Sequence, residues 1–182
     1  MQAAALIEPA LDLTVKTDPA GWAQRLGGLL LPTGSVRLSN NGRIAEIEGY
    51  ESGAWWVQDA AAALPVKCLG DIRGLKVLDM CAAPGGKTAQ LINGGAEVIS
   101  LDISETRLKK LRDNMARLQF PPPQTVCADG ADYLQNCKSG QFDAILLDAP
   151  CSATGTLRRH PELVHIKTVA DVEKQTVLQR KL

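Results

Sequence analysis

The feature that most constrains the fold is a regular alternation of apolar and helical segments that begins near Leu75. Each apolar run is short, continuous and rich in β-branched residues or leucine, a pattern typical of strands buried on both faces. Strands that alternate with helices favour a parallel sheet with helices on both faces. The sequence therefore predicts an α/β fold, a doubly wound sheet whose first four strands are Val77-Leu78, Val98–Leu101, Thr125–Cys127 and Ala144–Leu147.

Two helices are predicted between the first three strands. One runs from Gly86 to Ile92, and the other from Ser104 to Leu118. The second carries apolar residues at spacings of three and four, which indicates a face turned toward the core. Its opposite face is interpreted as solvated surface because it holds basic residues, namely Arg107, Lys109, Lys110, Arg112 and Arg117.

Residues 1 to 55 differ in pattern and predict a small N-terminal α+β subdomain, with residues 56 to 182 forming the main domain. Asp18-Pro19 is typical of a helix start, and Gly27-Gly28 of a helix end. Asn40-Asn41-Gly42 is a hairpin signal, so the segments on either side are expected to pair. The predicted elements are a strand at Leu11–Val15, a helix at Ala20–Leu26, and hairpin strands at Ser35–Leu38 and Ile44–Ile47.

Each of the last three predicted strands ends at an aspartate: Asp102, Asp129 and Asp148. Carboxyl ends of parallel strands meet at one edge of the sheet, and ligands bind there where the strand order reverses. Aspartate is also a common capping residue, so a purely local role stays open for each one. Three of them beside a small-residue turn nevertheless predict a binding cleft. The turn consists of Cys81, Ala82, Ala83, Pro84, Gly85, Gly86 and Lys87.

The ligand of this cleft follows from what the turn lacks. A phosphate loop needs glycine where Cys81 stands, and a dinucleotide fingerprint needs glycines that are not adjacent. Gly85 and Gly86 let the backbone approach a ligand closely. Asp102 is placed to accept hydrogen bonds from ribose hydroxyls, and Asp129 from an adenine amino group. Ribose and adenine without a required phosphate, beside carboxylates that favour a cation, suggest S-adenosylmethionine.

The overall composition excludes several classes of protein. The 20 basic and 20 acidic residues balance, so no global field draws the chain to nucleic acid or membrane. No apolar run approaches the roughly 20 residues of a membrane span, and the first residues lack a basic signal-peptide region. Five scattered cysteines indicate free thiols, with no metal site expected, and predict a cytoplasmic protein.

Several motifs carry a resemblance to a known family. CAAPGGKT, LDIS, CADG and LLDAPCSATGTLRRHPE occur in this order, and VQDAAAAL precedes them. Together they resemble the RNA (cytosine-5) methyltransferases, and within these the Sun-type, ribosomal RNA small-subunit methyltransferase B group. The resemblance covers roughly residues 50 to 170. It implies a Rossmann-like class I methyltransferase domain, S-adenosylmethionine as cofactor, and RNA, specifically 16S ribosomal RNA, as substrate.

The resemblance also assigns roles to individual residues. The turn from Cys81 to Lys87 would be the cofactor loop, Asp102 would hold the ribose, and Asp129 would lie at the adenine. Asp148 would sit between the methyl donor and the target base, and Cys151 would lie beside the target cytosine. The chemistry needs a thiol because C5 of cytosine is a poor nucleophile until a thiolate adds to C6. Asp148 would then stabilise charge at N3 of the ring.

The sequence departs from this family in one respect that bears on catalysis. The family resemblance implies a second cysteine, in a Thr-Cys motif, as the main nucleophile, with the cysteine at 151 assisting. No Thr-Cys pair occurs in these residues, so the nucleophile is expected beyond Leu182 and the chain is expected to be an inactive fragment. Cys151 as nucleophile, a non-catalytic RNA- or protein-binding module, and a methyltransferase for DNA or protein are the alternatives left open.

Overall fold

The computed structural model describes residues 9–39, 42–157 and 159–182. The chain divides into two compact units, of which one is Leu11–Asp148 and the other includes Ala149–Leu182. The first unit contains two four-stranded sheets, one antiparallel and one parallel. The hairpin residues Asn40 and Asn41 lie outside the described residues.

The antiparallel sheet is formed by the N-terminal part of the chain, in the order β2-β3-β1-β4. A helix, α1 (Pro19–Arg25), begins where expected, since the Asp18 carboxylate accepts a hydrogen bond from the Gly21 amide at 2.9 Å. The centre of this subdomain is fully buried at Leu13, Val36 and Trp55. Its strands are β1 (Leu11–Val15), β2 (Leu29–Leu30), β3 (Val36–Leu38) and β4 (Trp55–Val57).

The predicted hairpin is wrong. Ile44–Glu46 forms a 3-10 helix, and β3 pairs instead with β1 and β2. The segment from Gly42 to Glu46 is exposed throughout, so it has no alternating buried face that would hold it beside β3. The domain boundary predicted after residue 55 falls inside β4, which belongs to the antiparallel sheet.

The parallel sheet has the order β7-β6-β5-β8. Its strand order reverses between β5 and β8, because the chain runs outward from β5 to β7 and then returns to the other side of β5. This confirms the predicted α/β fold and places a switch point beside the first strand. The strands are β5 (Lys76–Met80), β6 (Glu97–Asp102), β7 (Gln124–Cys127) and β8 (Ala144–Leu147).

The helices of the parallel sheet follow the expected crossovers. Right-handed connections place α3 and α4 on one face and the following helix, α5, on the other. Helix α4 turns its apolar stripe inward as predicted, with Leu108, Leu111 and Leu118 fully buried. A short helix, α2, precedes the sheet, and the bounds are α2 (Leu64–Lys67), α3 (Gly86–Asn93), α4 (Glu105–Arg117) and α5 (Gly130–Gln135).

The inner strand β5 and the outer strand β8 of the parallel sheet differ in the burial of their apolar side chains. Val77 and Leu78 of β5 are fully buried, whereas Ile145 and Leu147 of β8 are 48% and 41% exposed. β8 lies at the edge of the described sheet, where these two apolar side chains are left uncovered by the described residues.

The second unit is helical in its described part. Helix α6 (Leu163–Ile166) is followed by α7 (Val169–Lys181), which starts at a capping box between Thr168 and Asp171. No described helix of the protein has both the length and the apolar character that crossing a membrane requires.

Candidate active site

The cofactor loop turns sharply between β5 and α3. Cys81 and Gly85 adopt positive φ values of 60° and 102°, and the Gly85 amide closes the turn by donating to the Ala82 carbonyl at 2.9 Å. A β-carbon on Gly85 would lie 2.9 Å from Cγ of Leu111, whereas one on Gly86 would meet nothing within 4 Å. The two glycines therefore differ: Gly85 is required by packing against α4, and Gly86 leaves backbone accessible at the start of α3.

Asp102 lies against this loop rather than open to solvent. Its side chain is 1% exposed. It accepts hydrogen bonds from the Ala83 amide at 3.2 Å and the Ser104 amide at 3.1 Å, and it pairs with Arg107 at 3.1 Å. Arg107 also donates to the Ala83 carbonyl. Asp102 thus braces the loop, and the ribose contact stays a prediction for this buried, ion-paired carboxylate.

Asp129 caps the next helix. Its Oδ1 accepts hydrogen bonds from the amides of Ala131 at 3.0 Å and Asp132 at 3.3 Å, which is the geometry of an N-cap. β7 adjoins β6, so Asp129 lies at the same edge of the sheet as Asp102. The adenine contact stays a prediction for this partly buried carboxylate.

Asp148 is joined to the cofactor loop by an ion pair. Lys87 Nζ lies 2.5 Å from Oδ2 of Asp148, and the Asp148 amide follows the β5–β8 pairing by donating to the Met80 carbonyl at 3.3 Å. The Lys87 side chain is only 14% exposed, whereas that of Asp148 is 54% exposed. The pair therefore offers one accessible carboxylate, held in place by a largely buried ammonium, at the switch point.

A buried carboxylate that is not among the predicted site residues, Asp79, precedes the loop on β5. Asp79 is fully buried as the last residue but one of β5, and its Oδ2 accepts a hydrogen bond from the Thr88 hydroxyl at 2.6 Å. Oδ1 has no partner, and the Thr88 hydroxyl also lies 3.3 Å from that of Ser100. Burial raises the pKa of Asp79 to about 7, against the lowering effect of the Thr88 hydrogen bond and the Lys87 charge. A charged residue inside an apolar run was the available signal.

The two cysteines of the predicted site have different surroundings. Burial, followed by the charge of Asp102, raises the pKa of the Cys81 thiol, so this thiol is not activated as a nucleophile. Cys151 belongs to the other unit, where its thiol is exposed and its sulfur accepts a hydrogen bond from the Ala153 amide at 3.4 Å.

The basic face of α4 is not simply solvated surface, contrary to the sequence interpretation. Lys109 and Lys110 are exposed. Arg107 contacts the loop, Arg112 donates to the Thr125 hydroxyl at 3.1 Å, and Arg117 donates to the Tyr50 carbonyl at 2.8 Å. Three of the five basic side chains are therefore tied to the loop, to β7 and to the N-terminal subdomain.

The chain is similar to curated ribosomal RNA methyltransferases. It is 43% identical over 141 residues to ribosomal RNA small subunit methyltransferase B of Vibrio cholerae, an alignment that covers 76% of this chain and 32% of the relative. It is 38% identical over 152 residues to the protein of the same name from Pectobacterium carotovorum, covering 82% and 35% of the two chains. The chain thus spans about a third of the length of these relatives.

Solved structures agree with this similarity. A methyltransferase homolog protein from Pyrococcus horikoshii has a TM-score of 0.77 at 26% identity, covering 99% of this chain and 60% of the other. NSun6 from the same organism, a structure with SFG, has a TM-score of 0.66 at 31% identity, covering 76% and 36%. The predicted fold and cofactor agree with these neighbours. Residues 68–182 match the family described as 16S rRNA methyltransferase RsmB/F, and the chain belongs to this family.

Proposed function

We propose that these residues form the S-adenosylmethionine-binding part of an RNA (cytosine-5) methyltransferase that acts on 16S ribosomal RNA in the cytoplasm. The observation that carries the proposal is the meeting of Asp102 and Asp148 with one loop at the switch point of the sheet. Membership of the RsmB/F family supports the reaction class. The names of the relatives support small-subunit ribosomal RNA as substrate.

The loop and its neighbours suit the proposed cofactor. Gly86 leaves backbone accessible where the loop enters α3, Asp102 is the last residue of β6, and Asp129 follows the end of the adjacent strand β7. When bound, S-adenosylmethionine supplies an electrophilic methyl group on a sulfonium. The residues proposed to hold it are the loop from Cys81 to Lys87, with Asp102, Asp129 and Asp148.

The Lys87–Asp148 pair is proposed to face the target base. A half-exposed carboxylate can accept a hydrogen bond from the base edge, and the buried ammonium of Lys87 fixes its position. When a thiolate adds to C6, negative charge develops at N3, and Asp148 in its protonated form would stabilise this charge by donating a hydrogen bond to N3. Cys151 is proposed to assist, chiefly in releasing the methylated base, while the main nucleophile belongs to the Thr-Cys motif that these 182 residues lack.

Calorimetric titration with S-adenosylmethionine tests the binding half of the proposal. Asp102→Ala removes charge-assisted hydrogen bonds to the loop and is expected to weaken binding about tenfold to a hundredfold. Glu97→Ala is the matched control, because Glu97 is an exposed acid at the opposite end of the same strand. Equal affinity in both variants, or no binding by the unmodified chain, would contradict the proposed site.

Methyl transfer tests the reaction half. With labelled S-adenosylmethionine and 16S ribosomal RNA, we expect no 5-methylcytosine from these 182 residues alone, because the nucleophile is missing. Formation of 5-methylcytosine that is lost in Cys151→Ser would overturn this part and make Cys151 the nucleophile. RNA binding without cofactor binding would favour the alternative of a non-catalytic module.

A further inference from the structure

Helix α4 contacts three consecutive residues of the cofactor loop. Arg107 donates to the carbonyl of Ala83, and Asn114 Nδ2 donates to the carbonyl of Pro84 at 3.3 Å. A β-carbon on Gly85 would lie 2.9 Å from Leu111 Cγ and 3.2 Å from Met115 Cε. The loop is therefore shaped against α4 as well as by the strand that precedes it.

Asn114 has a second partner on the opposite side of its amide. Arg117, one turn along α4, donates from Nη2 to Oδ1 of Asn114 at 3.4 Å. An amide has donors on one side and an acceptor on the other, so this orientation satisfies both the Pro84 carbonyl and the guanidinium. The opposite orientation would set oxygen against oxygen at Pro84.

Arg117 in turn contacts Tyr50 of the N-terminal subdomain in two ways. Its Nη1 donates to the Tyr50 carbonyl at 2.8 Å, and the guanidinium lies 4.1 Å from the centre of the Tyr50 ring. The Tyr50 ring also packs against Trp55, with ring centres 5.6 Å apart. Trp55 is fully buried in the N-terminal core, so the position of Arg117 is fixed from the subdomain side.

Resting on the proposed function, we propose that Asn114 is a positioning residue for cofactor binding. It ties the cofactor loop at Pro84 to Arg117, and through Arg117 to the N-terminal subdomain at Tyr50. Within the loop, the Gly85 amide donates to the Ala82 carbonyl, and the Pro84 carbonyl takes its hydrogen bond from Asn114 on α4. Holding this carbonyl in place reduces the ordering that the loop undergoes on binding, and so increases affinity.

This chain of contacts from Pro84 through Asn114 and Arg117 to Tyr50, the relay, also links the N-terminal subdomain to cofactor binding. A change at the Tyr50–Arg117 contact would alter cofactor affinity without touching the cofactor. The relay lines one side of an open cavity of about 400 Å³, whose wall includes Tyr50, Pro84, Asn114 and Arg117.

The test compares cofactor affinity with fold stability. Asn114→Ala removes both hydrogen bonds and is expected to raise the Kd for S-adenosylmethionine about threefold to tenfold. Arg117→Lys keeps the charge but loses the fork of donors, and is expected to shift the Kd in the same direction. Because both act through one relay, the double variant should weaken binding by less than the product of the two single effects.

Matched controls separate positioning from general damage. Asn136→Ala removes an exposed asparagine just after α5, whose Nδ2 donates to the Asp132 carbonyl at 2.8 Å, and should leave the Kd unchanged. The melting temperature of Asn114→Ala without cofactor should differ little from that of the unmodified chain. A Kd within twofold of the unmodified chain, or a fall in melting temperature that alone accounts for weaker binding, would overturn the inference.

Three further outcomes separate the inference from the proposed function. If Asn114→Ala does not fold, Asn114→Asp decides: it keeps the acceptor for Arg117 but loses the donor to Pro84, so weaker binding supports the relay and equal binding refutes it. An unmodified chain that fails to bind S-adenosylmethionine would contradict the proposed function, and the inference with it. Equal binding by all variants would contradict the inference alone.

Discussion

The centre and the flanks of the parallel sheet use the same residue type in different ways. In the central strands, Asp79 and Asp102 are 0% and 1% exposed, and both are hydrogen-bonded to the loop or to the helix that follows it. On the flanks, Asp129 caps a helix and Asp148 is 54% exposed. The aspartates of the central strands therefore stabilise the loop and the helix that follows it, whereas the carboxylate of Asp148 on the flank is accessible to solvent. The position of the strand in the sheet decides how buried its aspartate is, because a central strand has neighbouring strands on both sides.

The largest expected effect concerns Asp79. Its folded-state pKa of about 7 lies above the unfolded value of about 4, so the folded protein binds the proton more tightly. This contribution to the free energy of unfolding is present below pH 4 and is lost as pH rises through 7. Asp79→Asn removes this titration. The free energy of unfolding of the variant, taken relative to that of the unmodified chain, should therefore rise by about 3 kcal/mol between pH 5 and pH 8.

Urea denaturation of both proteins at the two pH values measures this difference. Asp71→Asn is a suitable control, since its Arg73 ion pair lowers the pKa of Asp71 to about 2 and it does not titrate between pH 5 and 8. A pH-independent difference for Asp79→Asn would show that Asp79 is charged when folded, and would break the distinction between centre and flank.

A smaller effect is expected at Asp129. Asp129→Ala removes the cap of α5 and should cost about 1 kcal/mol of stability, whereas Asp129→Asn retains a capping oxygen and should cost little. If Asp129 also contacts the adenine, both variants should weaken S-adenosylmethionine binding. Thermal unfolding together with calorimetric titration separates the two roles, and unchanged binding in both variants would leave Asp129 as a cap alone.

The smallest change in stability is expected at Asp148. Asp148→Asn breaks an ion pair that is open to solvent on one side, and should alter the free energy of unfolding by less than about 1 kcal/mol. A larger loss, measured by urea denaturation, would mean that Asp148 is part of the structural framework like the central aspartates. The same variant retaining full methyl transfer in a protein that carries the nucleophile would remove Asp148 from the proposed mechanism.

The strand pattern and the strand-end aspartates could be predicted because both are local signals. Continuous apolar runs identify buried parallel strands, and the carboxyl ends of such strands share one edge whatever the details of packing. The stripe on α4 was predicted for the same reason. The failed hairpin shows the limit: a turn signal at Gly42 says nothing about whether Ile44–Glu46 has a surface to pair with.

The residues that sequence analysis missed act through contacts distant in sequence. Asn114 and Pro84 lie thirty positions apart, and only the packing of α4 against the loop brings them together. Arg107 looked like solvated surface because a basic residue on a polar helix face usually is. Asp79 was overlooked in an apolar strand, where burying a carboxylate is costly and needs a specific partner such as Thr88.

Hydrogen–deuterium exchange of the 182-residue chain with and without S-adenosylmethionine tests most directly where the cofactor binds. We predict that the cofactor slows amide exchange in the loop at 81–87 and in the residues just after β6, including Ser104, whose amide donates to Asp102. Exchange in α7, which lies in the other unit, should stay unchanged. Protection that is absent from the loop and appears elsewhere would contradict the proposed site.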